Sequence, residues 1–209
     1  MKLVLPALLA LAAPAVGQQA TPPSPAAAPA PVPADLVRVV LTTAEGPITL
    51  ELDRGRAPAT TANFLRYVDA KRFDGVAFYR AMKLGQGYGL VQAGLRNDPK
   101  KLFPPVRHEP TTQTGIRHED GVISMARDKP GTATADFFIA VGALPSLDAD
   151  PSKPGDDLGF AAFGRVVDGM DVVRRILLAP TSPTQGQGVM RGQMLSPTIR
   201  IVRARRTKP

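Results

Sequence analysis

The chain has no cysteine and no tryptophan, only two histidines, and aromatic residues make up just 5% of it. Without cysteine there are no disulfides, no thiolate metal sites and no lipid-modified N-terminal cysteine. His108 and His118 stand in polar loop sequence without ligand spacing, so no metal or other cofactor is expected. Gly85, Gly87 and Gly89 resemble a glycine-rich loop but do not lie between a strand and a helix N-terminus, which argues against a phosphate cradle. Asp148, Asp150, Asp156 and Asp157 share a loop with Pro151, Pro154 and Gly155 but lack the alternation of a calcium loop. The apolar run at 3–16, interrupted by Pro6 and Pro14, falls short of the ~20 residues a membrane-spanning helix needs. Repeats of fixed period are also missing.

What is present fits one soluble domain with some tail to spare: 209 residues, 44% hydrophobic and 21% charged. The formal net charge of +8 raises the question of nucleic acid. The one dense basic cluster, Arg200, Arg203, Arg205, Arg206 and Lys208, carries no interleaved aromatics and reads as a solvated edge, so no nucleic-acid partner is expected. Met1-Lys2 ahead of the apolar run suits a secretory signal peptide, with small residues at Ala15 and Gly17 placing cleavage after Gly17. Residues 18–34 are nearly all Ala and Pro, have nothing to bury, and read as an extended linker. The folded unit is expected over 35–209, in a periplasmic monomer with no stable membrane insertion once the signal is removed.

Periodicity places a β-hairpin at 36–43 and 48–52, around the Glu45-Gly46-Pro47 turn. Ala57-Pro58 opens a helix with Phe64, Leu65 and Val68 on one face. Short strands follow at 76–80, 122–125, 137–141 and 160–166, then a helix at 170–178 ended by Pro180, and a last strand at 198–204. Many short strands with two helices suggest a closed barrel capped by helices, although periodicity alone leaves a sandwich open.

Three separated segments hold the candidate chemistry. They are Phe78-Tyr79-Arg80 with Gln92, then Ser124 to Arg127 with Phe137-Phe138, and finally 160–166. Phe73-Asp74-Gly75 followed by Phe78-Tyr79-Arg80 resembles the cyclophilin signature. Gly121-Val122-Ile123-Ser124-Met125-Ala126-Arg127, Pro130-Gly131-Thr132-Ala133 and Asp136-Phe137-Phe138-Ile139 resemble its next block. Ser146-Leu147-Asp148 and Gly159-Phe160-Ala161-Ala162-Phe163-Gly164-Arg165-Val166 resemble a third, which runs into the family's second helix through Asp168-Gly169-Met170. With the opening segment from Thr43 to Phe64, the resemblance spans about 37–202.

The resemblance implies a mainly β fold, a closed antiparallel cyclophilin-like barrel capped by two α-helices, and a peptidyl-prolyl cis-trans isomerase acting on proline-containing polypeptides. It implies Arg80 as the catalytic donor to the prolyl nitrogen. It also implies a substrate site of Phe78, Leu90, Gln92, Ala126, Arg127, Asp136, Phe138, Leu147 and Phe160. Leu90, Phe138, Leu147 and Phe160 would form the proline slot, and Gln92 would bond substrate backbone and hold Arg80. Backbone groups of Arg127 would pair with the substrate chain. Three departures stand out. The segment 81–91 is longer than usual, with Tyr88 a candidate substitute for a missing pocket residue. Asp136 replaces a glutamine and is a candidate partner for Arg80. Phe160 replaces a histidine. A proline-binding chaperone with little catalysis is the alternative on the same fold.

Overall fold

The computed structural model describes residues 35–154 and 157–207. The expected signal peptide at 1–17, the linker at 18–34, Gly155, Asp156 and Lys208 lie outside the described residues. The chain opens with strands β1 (Leu36–Thr43) and β2 (Gly46–Asp53), whose hairpin register pairs Thr43 with Gly46. The Thr43 hydroxyl locks that turn, donating to the Gly46 carbonyl at 2.7 Å and accepting from the Glu45 N–H. Helix α1 (Pro58–Asp69) follows, then β3 (Ala77–Gly85), β4 (Tyr88–Gly94) and a single turn α2 (Thr111–Thr114). Next come β5 (Val122–Met125), β6 (Phe137–Val141), β7 (Ala161–Asp168), α3 (Met170–Leu178), the two-residue β8 (Thr181–Ser182) and β9 (Met194–Thr207).

The sheet runs β1-β2-β7-β5-β6-β4-β3-β9, and a further β1–β9 pairing closes it into an antiparallel barrel, with β8 attached to β9. Closure leaves no sandwich. Inward-facing residues fill the barrel, among them Phe64, Phe73, Phe78, Phe137 and Phe163, all fully buried. Phe64 meets Phe73, Phe137 and Phe163 with ring centroids 5.0, 5.3 and 5.4 Å apart, tilted or edge-on as aromatic quadrupoles prefer. Burial of each such side chain contributes about 1.5–3 kcal/mol, so this cluster dominates the core.

Helix α1 starts at Pro58, whose fixed φ and missing N–H suit a first turn. Its N-cap, Ala57, has no side chain to offer. The buried Glu109 caps from a distance instead, accepting from the N–H groups of Ala59 (3.1 Å) and Thr60 (2.8 Å) and from the Thr60 hydroxyl (2.7 Å). A carboxylate there also suits the helix dipole. Helix α3 buries Val172, Val173, Ile176 and Leu177, the spacing read from the sequence.

Several boundaries differ from expectation. The strand expected at 76–80 continues to Gly85 and turns into β4, which the glycines at 85, 87 and 89 had concealed. The final strand is longer than 198–204, and α2 adds a one-turn helix to the two expected. The described part of the basic C-terminal stretch, Arg200 to Arg206, lies in β9. There 201–207 pair with β1, Arg205 is bound to Asp74 and Arg206 to Asp69.

Candidate active site

The decisive local feature is a β-bulge in β3. Phe78 pairs with Ala93 of β4, and the next pair is Arg80 with Gln92, so Tyr79 is the extra residue. An extra residue reverses which face later side chains take. Phe78 therefore points into the barrel, while Arg80 and Met82 point outward with Ala81 inward between them. Strand β4 alternates without a bulge, turning Leu90 and Gln92 out and Val91 and Ala93 in. On β6, Phe138 and Ala140 face out against Gln92 and Leu90. These outward residues form a second apolar cluster, Leu90, Phe138, Ala140 and Leu144, flanked by Met82, Ala126, Leu147 and Phe160.

Above it lies a cavity of about 780 Å³. Its apolar end is built around Phe138. Phe160 meets that ring edge-on at 5.5 Å, and the imidazole of His118 stacks behind it at 5.8 Å with only 17° between planes. His118 lies in a loop, as its sequence context suggested, but points inward. It is fully buried, with Nδ1 2.7 Å from Asp148 Oδ1 and Nε2 2.9 Å from Ser124 Oγ. The carboxylate can only accept, so Nδ1 carries the proton and the Ser124 hydroxyl donates to Nε2. Burial pushes the His118 pKa down, against the smaller upward pull of Asp148, which keeps the ring neutral. Ser124 is itself wholly buried, so this trio braces the slot floor and offers no nucleophile.

The polar side is a chain of hydrogen bonds. The Tyr79 hydroxyl donates to Asp136 Oδ1 at 3.0 Å and accepts from Gln92 Nε2 at 2.6 Å. Gln92 Oε1 then accepts from Arg80 Nη1 at 2.9 Å, and Gln193 Oε1 accepts from Arg80 Nε at 2.8 Å. Among the described residues the remaining nitrogen, Nη2, meets only the Met82 sulfur at 3.5 Å, a weak acceptor. Two amide oxygens thus fix the guanidinium plane while one donor edge stays available to a ligand. Burial lowers the Arg80 pKa, although an arginine has a wide margin and stays charged.

Asp136 anchors the other end. Beyond Tyr79 it accepts from the backbone N–H groups of Arg96 (2.9 Å) and Asn97 (3.2 Å), two non-glycine residues with φ of 51° and 56°. Desolvation raises the Asp136 pKa, opposed by these hydrogen bonds. Gly94 is what lets it come so close, since a Cβ there would lie 2.5 Å from Asp136 Oδ1. Arg127 reaches across the rim, its Nε donating to the Gly159 carbonyl at 3.0 Å and its guanidinium lying over Phe160.

The structure thus gathers Arg80, Leu90, Gln92, Ala126, Arg127, Asp136, Phe138, Leu147 and Phe160 around one cavity. It does not bring Phe78 there, because the bulge sends that ring into the core, edge-on to Phe137. Asp136 does not pair with Arg80 either; Tyr79 and Gln92 stand between them. Tyr88 packs beside Gly142 away from the cavity, and Met82 takes the wall position instead. The extra residues of 81–91 lengthen the β3–β4 hairpin outward and leave Arg80 opposite Gln92. Sequence reasoning missed Tyr79, Arg96, Asn97 and the 185–194 segment that supplies Gln193, Val189, Met190 and Met194. Tyr79 was readable as the middle of the Phe-Tyr-Arg motif, but the distant segment carried no signal.

Against known proteins, a family profile described as cyclophilin type peptidyl-prolyl cis-trans isomerase/CLD matches residues 38–205. A peptidyl-prolyl cis-trans isomerase of Streptomyces antibioticus is 36% identical over 151 residues, covering 71% of this chain and 87% of the relative. Peptidyl-prolyl cis-trans isomerase A of Dickeya dadantii is 38% identical over 141 residues, covering 66% of this chain and 70% of the relative. A crystal structure of a Cryptosporidium parvum cyclophilin type isomerase superposes with a TM-score of 0.63 at 20% identity, covering 83% of this chain and 99% of that one. The same protein, in the presence of the dipeptide Ala-Pro, gives a TM-score of 0.62. These two structures bear on the fold alone.

Proposed function

The chain belongs to the cyclophilin type peptidyl-prolyl cis-trans isomerases, and from that premise we propose that it accelerates Xaa-Pro rotation through Arg80 and the Phe138 slot. An Xaa-Pro bond interconverts slowly because rotation breaks amide resonance, at a barrier of about 18–20 kcal/mol. Bond making is not required. The site has only to bind the twisted amide better than either planar form. On twisting, the prolyl nitrogen becomes pyramidal and gains a lone pair. The Nη2 edge of Arg80, held in place by Gln92 and Gln193, donates there. The proline ring enters the slot of Phe138, Phe160, Leu147 and Leu90, while Gln92 and the backbone at Arg127 hold the flanking chain.

The observation that carries this reading is the fixed guanidinium whose Nη2 edge meets only a weak sulfur acceptor among the described residues, beside an apolar slot. A protease-coupled assay on an Ala-Pro peptide tests it. Acceleration over the blank supports catalysis, and equal rates with and without protein leave only a proline-binding chaperone. The client pool we propose is periplasmic, supported by the signal-like start of the sequence and the Ala/Pro stretch behind it. Recovery of the folded domain in the periplasmic fraction with residues 1–17 removed is the expected result, and an intact N-terminus in the cytoplasm contradicts it.

A further inference from the structure

Beside the main cavity lies a second cleft of about 470 Å³ that no part of the isomerase mechanism uses. It sits where the end of α1, the start of β3 and the end of β4 meet. Lys71, Arg72, Arg96 and Lys101 line it, and Arg200 of β9 stands over its Gly75 wall. The one acid in the lining, Asp74, is already engaged: Arg205 grips both its oxygens at 2.8 and 2.7 Å and the Ala204 N–H adds a third bond. That grip holds the Asp74 pKa below the usual carboxylate value. Among the described residues, Lys71, Arg96 and Arg200 have no carboxylate within ion-pair distance, and Lys101 reaches only the exposed Asp98, at 3.6 Å. The cleft is therefore cationic and largely uncompensated.

Two features identify what it suits. Arg96 lines both cavities, so the cleft adjoins the site proposed to hold the proline. Its lining holds no aromatic ring for base stacking, and Phe103, beside Arg72, is covered by that guanidinium at 3.7 Å. Its dimensions fit side chains of a polypeptide. We propose that this cleft is a second subsite that binds acidic side chains of the same client chain whose proline occupies the slot, giving the enzyme a preference for acid-flanked Xaa-Pro bonds. This rests on the isomerase reading.

The test uses the full mature protein and Ala-Pro peptides that are neutral, or carry two glutamates before or after the proline. An acid-flanked peptide is expected to exceed the neutral one about three- to tenfold in kcat/KM at low salt, the scale of a few exposed ion pairs. The advantage should vanish near 1 M salt, where the screening length falls to ~3 Å. Replacing Lys71, Lys101 and Arg200 by Gln should remove the preference and keep turnover of the neutral peptide. Equal kcat/KM for neutral and acid-flanked peptides overturns the cleft while leaving the isomerase reading intact. If no peptide is turned over, the isomerase reading falls. The dissociation constants of the same peptides then decide the cleft, with tighter acidic binding supporting it and equal binding overturning it. Salt-dependent binding of duplex DNA through those three residues, without a peptide preference, also overturns it. Should the triple variant fold poorly, Lys71→Gln and the wild-type salt series carry the test.

Discussion

Tyr79 has one hydroxyl and uses it in both directions, donating to Asp136 and accepting from Gln92. Its burial and the Asp136 carboxylate push its pKa far up, so it stays a phenol and the direction of the chain is fixed. Tyr79→Phe keeps the ring and removes both bonds, leaving Gln92 Nε2 and one Asp136 lone pair short of a partner. A stability loss of about 1–3 kcal/mol is expected, the usual cost of an unsatisfied buried group. Because the Gln92 amide that accepts from Arg80 then loses the bond fixing its own orientation, kcat should fall about tenfold with KM nearly unchanged. A KM effect alone, or no effect, would contradict the positioning role. At this scale the sequence was largely legible, since motif order pointed to Arg80, Gln92 and Phe138. Phe78 was misread because a bulge at Tyr79, invisible in a two-residue alternation, puts Phe78 and Arg80 on opposite faces.

At the scale of elements, the β3–β4 hairpin keeps the tip of the long 81–91 segment clear of the site. Its added length lies beyond the Arg80–Gln92 pair, where Met82 still pairs with Leu90 and Lys83 with Gly89. Gly89 cannot carry a side chain there, for its φ is 148° and a Cβ would lie 1.9 Å from the Met82 carbonyl oxygen. Replacing residues 84–88 by a two-residue Asn-Gly turn shortens the tip and keeps the register below it. Activity on an Ala-Pro peptide is expected within about threefold of wild type, because loop length adds little energy. A loss of a hundredfold would mean that the tip itself serves the reaction. The helices and the apolar strands β5 and β6 were legible from periodicity, to the residue for β5, β6 and α3. The glycine-rich β4 and the ends of β9 were not, because their pairing is set by neighbours rather than by their own pattern.

At the scale of the molecule, the described domain is a closed barrel whose outer wall, not its lumen, carries the site, and whose stability is tied to that wall through His118. Burial lowers the His118 pKa, so as pH falls the unfolded chain, with its histidine near 6.5, takes up the proton before the native one. This contribution is complete above about pH 6.5 and is lost progressively below it. The melting temperature should drop between about pH 7.5 and 5.5, and His118→Gln should flatten that slope; equal slopes would contradict the assignment. Asp136, raised by burial, acts in the opposite sense, losing stability as pH rises through its folded value, so the comparison of variant with wild type isolates the histidine. Barrel closure was expected from the family resemblance. The second basic cleft was not, because α1, β3, β4 and β9 come together only on folding. The central claim is that Arg80 turns a proline-binding wall into a catalyst. Exchange NMR on an Ala-Pro peptide, with wild type and Arg80→Ala compared at equal saturation, measures that directly. The expected result is retained binding with cis-trans exchange slowed on the order of a hundredfold. Exchange as fast in Arg80→Ala as in wild type would contradict it.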